Sequence, residues 1–239
     1  MIITHRGHFN HLQENTIPAF EAALKMGADA VECDLRLTLD NKVVINHDSV
    51  SKKLSKDLDS VLNIDELFEY IKQKRVPFFL EVKNRSPILI EEIAKRIKDR
   101  KLWSQVHIMG FSLFIKNALR AQEKHEKLRV LPILNFPLYS YIKKPKKSYG
   151  VFIGWIDEWY GSGLLFRKLI STNRLIKLRK FYEKKGFKVM AGVINNKVGF
   201  EYFKKAGIED IVTDTIKDAV SYFNTSHPEL ASGSREMLK

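Results

Sequence analysis

Seven residues in the first third of the chain have side chains that ligate metals, exchange protons or hold anions: His5, Arg6, Glu32, Asp34, His47, Glu81 and Lys83. Each stands at or near the end of a short apolar run. His5-Arg6 follows residues 2–4, Glu32 and Asp34 close residues 30–35, His47-Asp48 follows residues 43–45, and Glu81 with Lys83 closes residues 78–82. Strand side chains alternate between faces, so Glu32 and Asp34 point the same way, as do Glu81 and Lys83. Taken singly, each has an ordinary reading: a solvated or turn-capping Glu-x-Asp, a His-Asp turn, a surface or core histidine, a Glu-Lys ion pair. Taken together they do not, because three carboxylates converging on one face repel unless a divalent cation or a proton relieves them. An oxygen-only set without cysteine or paired histidine ligands favours Mg²⁺ or Ca²⁺ over Zn²⁺. Two histidines, Arg6 and Lys83 beside such a cation suit a phosphate ester. The cations would offset charge on the phosphoryl oxygens, one imidazole would deprotonate the attacking hydroxyl, and the other would protonate the departing alkoxide.

Strand ends can assemble these residues only if the strands lie side by side, and the rest of the chain supplies that arrangement. Strands are predicted to start at Ile2, Ala30, Phe78, Val106, Arg129, Val151, Lys188 and Asp210, and most are followed by a helical pattern. Predicted helices cover residues 17–26, 64–74, 88–100, 113–124, 173–185, 198–206 and 216–223. Eight such units of about 30 residues predict an α/β fold, a single closed (β/α)₈ TIM-type barrel over residues 1–224. An open doubly wound sheet shares the alternation. Two stretches break the rhythm. Residues 132–149, with three prolines, are expected to be irregular, and residues 155–166, with Gly161 and Gly163, are expected to form a long loop after the sixth predicted strand. The polar residues 225–239 are expected to be a mobile tail.

Composition narrows the class. The chain has 239 residues, 44% hydrophobic and 29% charged, with 12 Gly and 7 Pro, which excludes disordered, collagenous and coiled-coil readings. Cys33 is the single cysteine, so no intrachain disulfide forms; between Glu32 and Asp34 it is expected to face the surrounding helices as a buried, inert thiol rather than act as a nucleophile. No secretory signal or run of ~18 apolar residues is present, which leads to the expectation of a cytoplasmic protein. The net charge of +13 invites a nucleic-acid or anionic-membrane partner, but its distribution is uneven. Residues 1–50 hold four basic and seven acidic residues, against 37 and 21 in the remainder. The acidic segment is therefore the one carrying two of the three candidate metal ligands. A basic remainder would attract a small anionic diester or an anionic membrane surface rather than nucleic acid.

These residues resemble the glycerophosphodiester phosphodiesterases, a family of phospholipase-C-like phosphodiesterase barrels. The resemblance lies in HRG at His5 to Gly7, ENTIPAFEAAL at Glu14 to Leu24, GADAVECDLRLTLDNKVVINHD at Gly27 to Asp48 and LEVK at Leu80 to Lys83, with weaker agreement in GFS at Gly110 to Ser112 and IEDIVTD at Ile208 to Asp214. It implies that His5 and His47 are the acid-base pair, that Glu32, Asp34 and Glu81 hold one divalent cation, Mg²⁺ or Ca²⁺, and that Arg6 and Lys83 grip the phosphate. Glu14 and Asn15 would brace the first loop. The implied reaction releases an alcohol from a glycerophosphodiester and leaves glycerol 3-phosphate, through a cyclic phosphate or by direct attack of water.

The chain departs from the family pattern in three places. Only 32 residues separate Asp48 from Glu81, so the capping insertion after the second strand is shortened. Gly192 stands where the family often has tryptophan, and His8 and His11 fall in a loop that is usually small or polar. Trp155 and Trp159, with Tyr160, are candidates for a substrate wall, against simple packing. The run Lys143-Lys144-Pro145-Lys146-Lys147 reads as a solvated loop, with contact to anionic lipid as the alternative. Two other functions remain: a phospholipase D or lyase acting on lysophospholipids, and a non-catalytic barrel binding a polyanion. The second is disfavoured because all seven site positions hold chemically competent residues.

Overall fold

The computed structural model describes residues 1–7, 11–134 and 147–224. Its elements run β1 (Ile2–Thr4), α1 (Ile17–Lys25), β2 (Ala30–Leu37), β3 (Val43–Ile45), a 3₁₀ turn at Ser55–Asp57, α2 (Ile64–Lys74), β4 (Phe78–Val82), α3 (Pro87–Asp99), β5 (Val106–Phe111), α4 (Ser112–Lys124), β6 (Arg129–Leu134), β7 (Gly150–Ile153), α5 (Ser162–Leu169), α6 (Thr172–Glu183), β8 (Lys188–Ala191), α7 (Lys197–Lys205), β9 (Ile211–Thr213) and α8 (Ile216–Asn224). The strands pair in the order β1-β9-β8-β7-β6-β5-β4-β2, and β1 pairs in turn with β2, closing an eight-stranded parallel barrel. β3 lies outside the closure, antiparallel to the end of β2. The predicted barrel is thus the observed one, and the shortened insertion shows as a β3-to-α2 connection whose only regular element is the 3₁₀ turn. Residues 225–239, expected to be a tail, lie outside the described residues, as do His8 and residues 143–146.

Alternation along the strands divides the chain between two environments. Ile3, Ala30, Phe79, Met109, Leu131, Ile133, Phe152 and Val212 fill the barrel interior. Val31, Cys33, Leu35, Phe78, Leu80 and Val82 take the intervening positions and pack outward against the helices. On β2 and β4 the interior parity continues from Ala30 to Glu32 and Asp34, and from Phe79 to Glu81. The register sets Asp34 beside Glu81. The lower barrel is therefore sealed by apolar side chains while the same rows end in carboxylates at the C-terminal face, where barrel sites are built.

Helix ends follow the expected chemistry. Asn63 caps α2 by accepting from Asp65 N and Glu66 N, and Glu66 returns a bond to the Asn63 backbone. Residues 155–166 are a correction: helix α5 starts at Ser162 inside the stretch expected to be loop. Gly163 is in the helix because Trp155 packs against it; a Cβ there would lie 2.6 Å from the Trp155 indole nitrogen. A glycine placed by packing gives the same sequence signal as one that breaks a helix. No described helix is long and apolar enough to cross a membrane.

Candidate active site

β1 delivers His5 and then turns sharply. Arg6 has φ +55° and Gly7 φ +84°; a Cβ on Gly7 would lie 2.8 Å from the Ala19 carbonyl carbon, so only glycine fits. The strained turn is held from several sides. Arg6 N donates to Glu32 Oε2 (3.1 Å), and Asn15 N donates to Arg6 O (2.9 Å). Arg6 Nη1 donates to Glu14 Oε2 (3.2 Å), while its Nε lies 3.1 Å from Asp34 Oδ2. Asn15 exchanges two bonds with Asp34, its Nδ2 donating to Asp34 Oδ2 (3.1 Å) and its Oδ1 accepting from Asp34 N (3.0 Å). Glu14 and Asn15 thus brace the first loop.

Glu32, Asp34 and Glu81 are buried, and one oxygen from each falls within 4.8 Å of the others. Oε1 of Glu32 and Oε1 of Glu81 are enclosed with no hydrogen-bond partner. Lys83 Nζ lies 3.1 Å from Asp34 Oδ1 and 3.0 Å from Glu81 Oε2. Lys83 and Arg6 together leave the three carboxylates short by one positive charge. The strain appears in their protonation: burial and the Asp34 charge push Glu32 up to about 8, and burial raises Glu81 as well. Burial would raise Asp34 too, but Lys83 and Arg6 overcome it and hold that carboxyl below its ordinary value. Unpartnered buried oxygens, an all-oxygen donor set and a missing positive charge fit a hard divalent cation.

His5 and His47 both line the pocket above these carboxylates. His5 Nδ1 lies 2.8 Å from Asp214 Oδ1, and Asp214 is itself fixed by Asn195, whose Nδ2 donates to Asp214 Oδ2 (2.5 Å) and whose Oδ1 accepts from Asp214 N (2.7 Å). Burial alone would depress His5, but the Asp214 hydrogen bond and the Glu32 charge outweigh it and raise the imidazole to about 9. His47 is more open, with Nδ1 3.1 Å from Asp48 Oδ1. Its loop is tied down by Arg36, which donates to the His47 carbonyl from Nε (2.9 Å) and Nη2 (2.6 Å) and to the Lys83 carbonyl from Nη1 (3.1 Å).

The pocket encloses about 580 Å³, counting its open mouth. His5, Arg6, Glu32, His47, Glu81 and Lys83 line one side, with Asp34 at 0% exposure beneath them. Phe111, Ile156 and Trp159 contribute an apolar part of the lining, and Trp159 stacks on Phe111 with centroids 6.1 Å apart. The seven residues singled out from the sequence therefore converge, and Trp159 joins them. Trp155 does not: it is 1% exposed, packs between Phe166 and Phe203 behind the barrel, and donates to Asp157. His11 is exposed and outside the pocket lining. Gly192 lines the pocket, and a Cβ there would lie 2.5 Å from Val212 Cβ, so the tryptophan of the family pattern has no room at this position.

Asp214, Asn195, Arg36 and Glu158, the last lining the pocket with Oε1 3.9 Å from His5 Nδ1, are functional candidates that the sequence reading passed over. Asp214 had a signal, since it follows Val212 at interior parity and ends the last strand as His5 ends the first.

A family model described as the glycerophosphoryl diester phosphodiesterase family matches residues 5–103, the stretch that carries all seven residues. A glycerophosphodiester phosphodiesterase of Caldanaerobacter subterraneus subsp. tengcongensis is 24% identical over 246 aligned positions, covering 90% of this chain and 93% of the relative. One from Bacillus altitudinis is 30% identical over 151 positions, covering 48% of this chain and 61% of the relative. Among solved structures, an Oleispira antarctica phosphodiesterase in complex with the product sn-glycerol-3-phosphate superimposes with a TM-score of 0.70 at 18% identity, covering 94% of this chain and 96% of that one. Over residues 5–103 this chain is thus similar to the glycerophosphoryl diester phosphodiesterase family, and along most of its length it shares the barrel fold of solved phosphodiesterases.

Proposed function

We propose that the chain hydrolyses glycerophosphodiesters to glycerol 3-phosphate and an alcohol, with one divalent cation, Mg²⁺ or Ca²⁺, held by Glu32, Asp34 and Glu81. The observation that carries this reading is the pair of buried, unpartnered oxygens on Glu32 and Glu81 beneath a pocket lined by His5, His47, Arg6 and Lys83. When bound, the cation supplies the missing positive charge and polarises the phosphoryl group. Arg6 and Lys83, already drawn to the carboxylate floor, hold the phosphate oxygens.

His5 keeps Nδ1 on Asp214, which leaves Nε2 as the atom that exchanges a proton with substrate. Raised to about 9, it carries a proton at neutral pH and suits protonation of the departing alkoxide. His47, half-exposed at the rim, takes the proton of the attacking hydroxyl, whether that of water or of the neighbouring glycerol carbon. The apolar wall of Phe111, Ile156 and Trp159 favours a second substrate class, lysophospholipids cleaved at the same phosphodiester. A contact with anionic membrane would serve that class.

The test is release of choline from glycerophosphocholine, which leaves glycerol 3-phosphate, and from micellar lysophosphatidylcholine, which leaves the acylated glycerol phosphate. Activity abolished by EDTA and by Glu32→Ala is the expected result, and the ratio of the two turnovers ranks the substrates. Release surviving both treatments would sink the reading.

A further inference from the structure

All large apolar side chains that stand exposed among the described residues fall on one face. From Leu12 to Val198, each lies between the C-terminal end of a barrel strand and the first turn of the helix that returns from it. None lies at the opposite end of the barrel. The density is greatest in the crossover from β7 to α6, where Trp159 is 46%, Tyr160 106%, Leu164 56%, Leu165 53% and Leu169 43% exposed. Helix α5 is amphipathic with its polarity reversed. Phe166 faces the core, while Leu164, Leu165, Lys168 and Leu169 share about 140° of outward arc at 100° per residue. A solvated helix normally turns its polar face outward.

We propose that this face docks on an anionic lipid bilayer, with α5 and the Trp159-Tyr160 corner seated at the headgroup level. Three observations select a membrane as the occupant. Trp and Tyr beside leucines, with a lysine on the same arc, make the composition of an interfacial helix. Charge is complementary: Lys168 and Arg174 are exposed around the leucines, Arg174 donating to the Leu169 carbonyl (3.2 Å), and the chain carries +13 overall. The patch is also continuous with the pocket, because Trp159 belongs to both. A bilayer under α5 would therefore place phosphodiester head groups at the mouth that His5 and His47 line. Docking needs only the surface, whereas the use of a lipid-borne phosphodiester rests on the phosphodiesterase reading above.

The experiment is co-sedimentation of the full chain with phosphatidylcholine vesicles, with and without phosphatidylglycerol. The wild type is expected to bind the phosphatidylglycerol vesicles, less at high salt. Leu164→Glu with Leu165→Glu is expected to lower the partition coefficient about tenfold or more while keeping turnover of water-soluble glycerophosphocholine. Should that variant fail to fold, Lys168→Glu on the same arc is expected to weaken the preference for anionic vesicles. The proposal is overturned if the wild type ignores phosphatidylglycerol vesicles or if both variants bind as the wild type does. It is also overturned if the leucines support only a concentration-dependent dimer, the mark of a second copy as occupant. Binding is read without turnover, so failure of the phosphodiesterase reading would appear separately, as docking without release of the head-group alcohol from any diester.

Discussion

His5 Nδ1 and Asp214 Oδ1 lie 2.8 Å apart although 209 residues separate them, and the contact exists because β1 pairs with β9 to close the barrel. The first and last strands thereby share one proton-handling unit. Asp214 orients the imidazole, stabilises its charged form, and is held on its other oxygen by Asn195.

Asp214→Asn should keep the fold and lose this electrostatic support. His5 is raised to about 9 against its burial chiefly by Asp214, so the acid form would be lost at lower pH in the variant. The alkaline limb of kcat/KM is expected to move to lower pH, with kcat down ~100-fold. A pH-rate profile checks this; reduced activity with an unmoved limb would assign Asp214 a packing role only.

On the proposed function, protons would compete with the cation at Glu32. Burial and Asp34 push this carboxyl up to about 8, so its proton is retained as pH falls below that value and must leave before a cation binds. Apparent affinity for Mg²⁺ or Ca²⁺ is expected to weaken as pH falls from about 8, and Glu32→Gln should cost ~100-fold or more in kcat. Calorimetric titration with each cation at several pH values checks the first expectation; pH-independent affinity would contradict it.

Arg36 joins the two sides of the site by donating to both the His47 and the Lys83 carbonyls. A lysine cannot make that planar bridge. Arg36→Lys is expected to lower kcat roughly 10- to 100-fold by loosening His47, with the thermal midpoint little changed. Unaltered kcat would show that His47 does not depend on this anchor.

His107, one layer below the pocket-lining Met109 on β5, bears on stability. It stacks on Phe79 with centroids 4.7 Å apart, its Nδ1 lies 3.2 Å from the Gln105 carbonyl, and its Nε2 faces Arg129 Nη1 at 3.3 Å. This is a neutral imidazole, donating at Nδ1 and accepting at Nε2. Burial and the Arg129 charge hold it down to about 4. The unfolded chain therefore binds the extra proton first, and stability present above pH ~6.5 is lost as pH falls toward 4, by roughly 3 kcal/mol at most. His5, raised to about 9, works in the opposite direction and withdraws stability as pH rises from ~6.5 toward 9. Denaturant unfolding across pH should show the acid loss reduced in His107→Asn, relative to that variant's own maximum.

Glu32, Asp34 and Glu81 were legible because a strand's two-residue period is local, and so was the count of eight strands. Asp214 on His5 was not, since only barrel closure joins the two chain ends. Arg36 carries no local sign that its partners are carbonyls 11 and 47 residues away. Helix α5 was obscured for two physical reasons. Gly163 is small to admit Trp155, and Leu164 and Leu165 follow a helical pattern whose apolar side faces out.

The most direct test of the carboxylate site is a crystal structure of the chain grown with Ca²⁺ or Mn²⁺. The account predicts one ion shared by oxygens of Glu32, Asp34 and Glu81 at ~2.0 to 2.6 Å, beneath His5 and His47. Carboxylates that point apart, or an ion that binds elsewhere while this cluster stays empty, would contradict it.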